Sequence, residues 1–246
     1  MELLRRGAGE LGLQLTPAHL LAFEAYYREL LAWNRRFNLT SVTDYEEVQT
    51  RHFLDSLTCL LAVAPRTPQG ALDAQAVRGP AIDVGAGAGF PGVPLRIVCP
   101  GLRLTLLEAT RKKATFLAHL VETLGLRDVE VVCARAEELA RDPAHRDRYD
   151  FALARALAPL AVLLEYCLPF LRPGGLLIAP KKGDLAAEIA SAKPALRALG
   201  GRWREPLAVP PSLLPDERVL ILVEKAGPTP KAYPRRPGIP AKTPIR

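Results

Sequence analysis

Aromatic residues are scarce in this chain, only 6% of 246. A row of stacking rings that would hold single-stranded nucleic acid by its base planes is therefore not evident. Cysteine is equally sparse. Cys59, Cys99, Cys133 and Cys167 lie more than 30 residues apart, which offers neither paired metal-ligand spacing nor a compact disulfide framework. They read as buried reduced thiols in a cytoplasmic protein, with no metal expected. No apolar run approaches the roughly 20 residues needed to span a bilayer, so no membrane partner is expected. MELLRRGAGELG at the N-terminus lacks the apolar stretch and small-residue cleavage site of a secretory signal.

What is present is ordinary globular material, 49% hydrophobic and 24% charged. The charge is not balanced: 33 Lys and Arg against 26 acids give +7. The excess is uneven, for residues 228–246 hold five Lys/Arg, six prolines and no acid. A basic surface favours a polyanionic partner, because phosphate contacts release counterions. The tail itself reads as extended and ordered only on such a partner.

The first third is patterned for helices. Thr16 and Pro17 make a start signal, a capping hydroxyl followed by proline at the first helical position. Apolar residues at helical spacing then predict a helix over about 17–36. Thr43 with Glu46 has the form of a capping box and opens a second predicted helix over about 44–63. Arg51 and Asp55 are spaced on it for an ordinary helical ion pair. PRTPQGALDAQAVRGP, residues 65–80, reads as a linker. Short apolar strands then alternate with helices, which predicts a mostly parallel sheet covered on both faces. The RPGG run closes one helix and starts the next strand. The expected domains are a helical extension over 1–64 packed on the core, the linker, an α/β domain over 81–226, and a basic proline-rich tail over 227–246.

DVGAGAGFPG, Asp83 to Gly92, follows the first apolar strand. Such a loop holds a nucleotide-like group by close backbone approach. A phosphate-cradling P-loop is excluded, since no Lys-Ser or Lys-Thr pair follows. A dinucleotide fingerprint fits imperfectly: Phe90 stands where its third glycine belongs, although Glu108 supplies an acid about 20 residues on. S-adenosylmethionine fits better. It carries no pyrophosphate, and Asp83 ahead of Gly85, Gly87 and Gly89 suits a cationic ligand or a braced loop. Glu108 would accept the ribose hydroxyls in either case. The adenine edge would meet the chain after the third strand, at Ala136 and Glu137. An NAD-dependent oxidoreductase, and a non-catalytic RNA-binding protein, remain open on these residues alone.

Longer segments narrow the choice. WNRRFNLT (33–40), RHFLDSL (51–57), DVGAGAGFPGVPLRI (83–97), LLEATRKKATFL (106–117), ARAEEL (134–139), ARALAPL (154–160) and YPRRPGIPAKTPI (233–245) occur in this order. Together they resemble the RsmG (GidB) family of 16S ribosomal RNA guanine-N7 methyltransferases. The resemblance implies a class I S-adenosylmethionine-dependent methyltransferase fold, a Rossmann-like, mostly parallel seven-stranded sheet with an N-terminal helical extension. It implies methylation of a guanine near the decoding region, in ribosomal RNA or the small-subunit particle, by a cytoplasmic enzyme expected to be a monomer. It also implies cofactor contacts at Gly85, Gly87, Phe90, Glu108, Ala109, Thr110, Ala136, Glu137 and Arg155.

The chemistry agrees with what is missing. Guanine N7 has a free lone pair, so alignment and water exclusion suffice without a general base. No Asp/Asn-Pro-Pro-Tyr of the kind used on exocyclic amines follows the fourth strand; ALARALAPL stands there, with Arg155 at the ligand-binding edge. Arg155 suits cofactor, guanine edge or phosphate. Arg35, Arg36, Lys112, Lys181, Lys182, Arg218, Arg235 and Arg236 are the further candidates for RNA contact.

Overall fold

The structure is a computed structural model that describes every residue except Pro215. Its centre is one sheet of β1 (Gly79–Val84), β2 (Leu102–Leu107), β3 (Val129–Val132), β4 (Tyr149–Leu153), β5 (Leu171–Lys182), β6 (Gly201–Trp203), β7 (Leu207–Ala208) and β8 (Arg218–Lys225). The order is β3-β2-β1-β4-β5-β8-β6, with β7 also pairing β8. The first five strands are parallel and the last three join antiparallel. The sheet therefore has eight strands rather than the expected seven. The segment around WREPLAV, weak in pattern, splits into β6 and β7 about Pro206, which cannot donate to a ladder.

The strands are short apolar runs because both faces are covered. Successive side chains point to opposite faces, and they divide accordingly. Ala81, Leu153, Ile178, Leu220 and Leu222 pack on one side with Phe23, Tyr26, Phe53 and Phe116. Ile82, Ala152, Leu177, Ala179, Ile221 and Val223 pack on the other with Leu160, Leu164 and Leu196. The first layer comprises α1 (Glu2–Glu10), α2 (Pro17–Phe37), the segment from Tyr45 to Val63, α6 (Gly92–Val98) and α7 (Arg111–Thr123). The second holds α9 (Leu160–Cys167) and α10 (Ala186–Ala198).

The N-terminal helices are thus part of the sheet's covering layer. Thr16 caps α2: its hydroxyl accepts from His19 N at 3.2 Å, and His19 Nδ1 accepts from Thr16 N at 3.3 Å. Asn38 ends the helix in the left-handed region, φ 49°, where asparagine is tolerated.

The expected helix over 44–63 is broken. α3 (Tyr45–Val48) is capped by Asp44, which accepts from the Glu46 and Glu47 amides, and not by Thr43. A π-helix follows over Gln49–Leu54, then α4 (Asp55–Leu57), a turn, and α5 (Leu60–Val63). The extra residue per turn in the π segment re-aims side chains. Arg51 consequently pairs with Glu47, not with Asp55. RPGG does not end a helix either. α9 stops at Cys167, a short 3-10 turn follows, and β5 already begins at Leu171, with a register shift against β4 around these glycines. The predicted linker ends inside β1, which starts at Gly79.

Residues 228–246 are packed on the protein, contrary to the expectation of an extended tail. They include a turn of helix, α11 (Ile239–Lys242). Arg146 explains part of this, donating to the carbonyls of Thr229 at 2.8 Å and Tyr233 at 2.9 Å.

Candidate functional site

The strand order reverses at β1 and β4, so the loops after these strands meet at the carboxyl edge where open α/β sheets bind ligands. The loop after β1 is Gly85–Pro91. Gly85, Gly87 and Gly89 sit at φ 73°, 61° and 97°, the left-handed region that only glycine enters without strain. A Cβ on Gly85 would stand 2.5 Å from Leu157 Cδ1, and one on Gly89 2.6 Å from the Tyr26 hydroxyl. Space as well as conformation therefore demands glycine at both.

The loop after β4 runs through Arg155, Ala156 and Leu157. Ala156 is also left-handed, φ 53°. Together the two loops form a wall with a pocket on each side. The smaller, about 240 Å³, is lined by Val84, Gly85, Leu107, Ala109, Ala134, Arg135, Ala136, Glu137, Leu157 and Tyr166. The larger, about 410 Å³, is lined by Gly85 to Ala88, Phe90, Arg155 and Ala156, with Leu39, Thr40, Val42, Arg51, His52, Asp55, Lys113, Lys182, Asp216 and Arg218. Gly85 belongs to both.

Two carboxylates brace the loops. Asp83 is fully buried, and its Oδ2 accepts from Gly92 N at 2.8 Å. Its other oxygen is buried without a hydrogen-bond partner. Burial pushes its carboxyl up to about 7, against the opposing pull of the Gly92 amide and Arg155. Asp83 thus lies behind the loop. Glu108 accepts from Gly87 N at 2.9 Å and from Thr110 N at 2.8 Å. It ties the loop after β1 to the loop after β2, and a carboxylate has further lone pairs to offer. Glu137 is 3% exposed, and its carboxylate accepts from Gly238 N at 2.8 Å.

The larger pocket is organised on Asp55, which is fully buried. Arg155 Nη1 donates to its Oδ2 at 2.7 Å. Arg218 Nε stands 2.8 Å from Oδ1, close as an ion pair but poorly aligned as a hydrogen bond. Arg155 also donates to the Arg51 carbonyl at 3.0 Å and to His52 Nδ1 at 3.3 Å, and it lies 4.9 Å over the Phe90 ring. His52 stacks on Phe90 at 4.5 Å. Its Nε2 sits 2.8 Å from Thr40 Oγ1. Its Nδ1 stands between the Arg51 carbonyl at 3.1 Å and the Arg155 guanidinium at 3.3 Å, an acceptor on one side and a donor on the other. Burial, then the Arg155 charge, lowers the His52 pKa to about 4. Asn34 holds the Thr40 loop in place through both its amide atoms, at 3.0 and 2.9 Å.

The expected site residues are therefore sorted. Gly85, Ala109, Ala136 and Glu137 line the smaller pocket, with Glu108 and Thr110 beside it. Phe90 and Arg155 face the larger one. Three RNA candidates are otherwise engaged. Arg235 forms a double ion pair with fully buried Glu165, 2.6 Å at its shortest. Lys181 donates to Glu188 at 2.7 Å and to the Ala158 carbonyl at 3.0 Å. Arg218 is 14% exposed at its side chain and committed to Asp55. For Arg235 and Arg218 the acid is fully buried, where an unpaired carboxylate would be costly. Arg35, Arg36, Lys112 and Arg236 are exposed, and Lys182 stands on the rim of the larger pocket. Arg36 and Lys112 approach Phe37 at 5.3 and 5.8 Å.

Asp55 and Thr40 were missed as site residues. The available signal was an acid inside an apolar run, FLDSLTCLL, since a buried carboxylate requires a cationic partner.

A family model described as "rRNA small subunit methyltransferase G" (GidB) matches residues 19–205. The chain belongs to this family. Curated proteins called "Ribosomal RNA small subunit methyltransferase G" match along the whole chain. The one from Roseiflexus castenholzii is 49% identical, covering 100% of both chains. The one from Dehalococcoides mccartyi (strain CBDB1) is 45% identical over 97% of each. Among solved structures, a point mutant of MtNAS in complex with S-adenosylmethionine aligns with a TM-score of 0.54 at 16% identity, over 83% of this chain and 73% of that one. The "[4+2]-Cyclase SpnF" aligns at 0.51 and 16%, over 72% and 82%. These identities establish the shared fold alone. A cyclase among them means that the fold does not choose the reaction. Among the described residues no helix is long and apolar enough to cross a membrane, and no His/Cys/Asp/Glu group could hold a metal ion.

Proposed function

We propose that the chain transfers a methyl group from S-adenosylmethionine to N7 of a guanine in 16S ribosomal RNA near the decoding region. The observation that carries this reading is the wall of Gly85–Ala88 and Arg155–Leu157, which separates a smaller, mostly apolar pocket from a larger cationic one. Family membership and the names of its relatives support it.

The residues fit the donor. Left-handed glycines let the chain approach an adenosine closely, and the Ala136–Glu137 backbone is free to meet the adenine edge. Glu108 stands between the two loops, able to accept ribose hydroxyls while bracing Gly87. The bound donor supplies an electrophilic methyl on a sulfonium. Everything else is positioning.

The larger pocket takes the base. Five cationic side chains, Arg51, Lys113, Arg155, Lys182 and Arg218, face only Asp55 and Asp216 there, which suits a phosphate-bearing substrate. N7 methylation leaves the ring cationic, so bare guanidinium charge beside it would oppose the reaction. Asp55 offsets two of these charges at the wall and fixes the hydrogen-bond directions of Arg155. His52, held neutral by its surroundings, adds no charge at neutral pH. Arg36 and Lys112 would meet flanking phosphates. In this reading the partner is 16S ribosomal RNA or the small-subunit particle, met in the cytoplasm by a monomeric enzyme.

Tritiated S-adenosylmethionine, with deproteinised small-subunit RNA or intact particles, tests the proposal. Labelled N7-methylguanine is expected. Label on another atom, or only in DNA or small molecules, refutes it.

A further inference from the structure

The C-terminal segment does not line the smaller pocket, but its anchors are a lining residue, Glu137, and the neighbour of another, Glu165 beside Tyr166. Arg235 is held by Glu165 through its backbone amide at 2.8 Å and its guanidinium at 2.6 Å. Glu165 is fully buried and is followed by Tyr166, which lines the pocket. Three residues on from Arg235, the Gly238 amide donates to Glu137, itself a lining residue. Arg141 secures the residue just before them, donating to the Pro234 carbonyl at 2.6 Å. Glu137 has one alternative partner, Arg135, at 3.9 Å, too long for a hydrogen bond. Without the segment, a nearly buried carboxylate would stand unsatisfied beside the pocket and move toward water or toward Arg135. That motion would carry the Ala136–Glu137 turn with it.

We propose that residues 233–238 are a strap that positions the methyl donor: Gly238 on Glu137 and Arg235 on Glu165 fix the turn at Ala136–Glu137 against which the adenine edge binds. The proposal rests on assigning the smaller pocket to the adenosine. Glu137 and Arg235 act here as positioning residues and touch no reacting atom. The strap carries the charges that the sequence suggested for RNA, yet its function is on the donor side. Linkage requires the converse effect: a bound donor holds the strap down to the same degree that the strap tightens the donor.

Limited trypsin digestion of the full chain, with and without saturating S-adenosylhomocysteine, reads this directly. Cleavage after Lys231 and Arg235 should slow when the ligand is bound. Unchanged cleavage at ligand concentrations where calorimetry reports binding overturns the strap. Absence of any ligand binding by the wild-type chain instead overturns the pocket assignment. Glu137→Ala should weaken S-adenosylhomocysteine about ten-fold, the equivalent of one lost charge-assisted hydrogen bond. In turnover the loss should fall on KM for the donor rather than on kcat. Glu137→Gln, whose amide oxygen accepts the same bond, should recover most of it. Lys193→Ala, at an exposed position on α10 that lines neither pocket, serves as control. A Glu137→Ala protein that melts earlier but binds the ligand as wild type assigns the contact to stability alone and refutes the proposal.

Discussion

The pockets on either side of the Gly85 wall are built by different means. The smaller is made mostly of glycine and apolar residues that follow the parallel strands, with Arg135 and Tyr166 added and its one nearly buried acid, Glu137, bonded to Gly238. The larger is made of long charged side chains from five separate segments: the stretch of Arg51 and Asp55, α7, the loop after β4, the end of β5 and the start of β8. A pocket of backbone recognises shape and tolerates little change. A pocket of side chains recognises charge and depends on how those chains hold one another. Donor binding and acceptor binding should therefore separate under mutation, except at the wall.

Gly85→Val tests the exception. The substitution puts a branched residue in the left-handed region and drives its Cβ into Leu157, so both S-adenosylhomocysteine affinity and methyl transfer should fall more than about 100-fold, or roughly 3 kcal/mol. Calorimetry that finds affinity intact would remove the wall from the site. Asp55→Asn should break the symmetry. It leaves two guanidiniums unpaired, and kcat/KM for RNA should fall about 30- to 100-fold, in the range for a buried hydrogen bond to a charged group. Ligand affinity measured on the same protein should stay near wild type. Equal losses in both would mean that one pocket, not two, is present.

Titration sharpens the contrast. His52, brought from 6.5 to about 4, is neutral when folded and takes up a proton on unfolding. It therefore adds stability above about pH 6.5 that is lost as pH falls toward 4, worth about 1.4 kcal/mol per pH unit of the shift. Asp83, raised from 3.8 to about 7, keeps its proton when folded and loses it on unfolding. Its contribution falls as pH rises from about 4 to 7, and its buried charge costs stability above that. In urea unfolding series from pH 4.5 to 8, His52→Gln should flatten the acid side of the curve. Asp83→Asn should gain on the wild type toward pH 8. Parallel curves for all three proteins would show that neither group is desolvated as described.

Glu108→Gln should weaken S-adenosylhomocysteine about ten-fold, because its amide nitrogen must face one of two backbone donors. Free RNA affinity should not move. The smallest effect belongs to Lys112→Ala, expected to lower the salt dependence of RNA binding by about one ion while leaving donor affinity alone. An unchanged slope would place Lys112 outside the RNA footprint.

The same difference explains what could be read in advance. The glycine loop, Glu108 and the Ala136–Glu137 turn were legible as positions at the carboxyl edge of the sheet, because each follows from local spacing after a strand. The sheet and its helical cover were legible for the same reason, down to Thr16 as a cap. The Asp55 cluster was not. Its partners lie 100 and 163 residues along the chain, and the π segment ahead of it cancels the i,i+4 reading of Arg51. The strap was misread because proline and arginine in a run suggest solvent. Its acidic partners, Glu137 and Glu165, lie far upstream in segments that look like ordinary helix.

The contact between Tyr26 and the glycine loop, where the phenol donates to the Ala88 carbonyl, has a consequence for synthesis. The N-terminal helices leave the ribosome first, with Phe23, Tyr26 and Phe53 prepared for a surface that does not yet exist. β5 pairs on one side with β8, which is among the last segments made, so the sheet stays open until translation is nearly complete. For most of that interval an apolar layer is uncovered and a strand edge is free, the conditions under which nascent chains associate wrongly. Newly made enzyme is thus most exposed to aggregation before it can bind its donor, and codon changes that slow translation between residues 180 and 218 would lengthen that exposure without altering a single side chain.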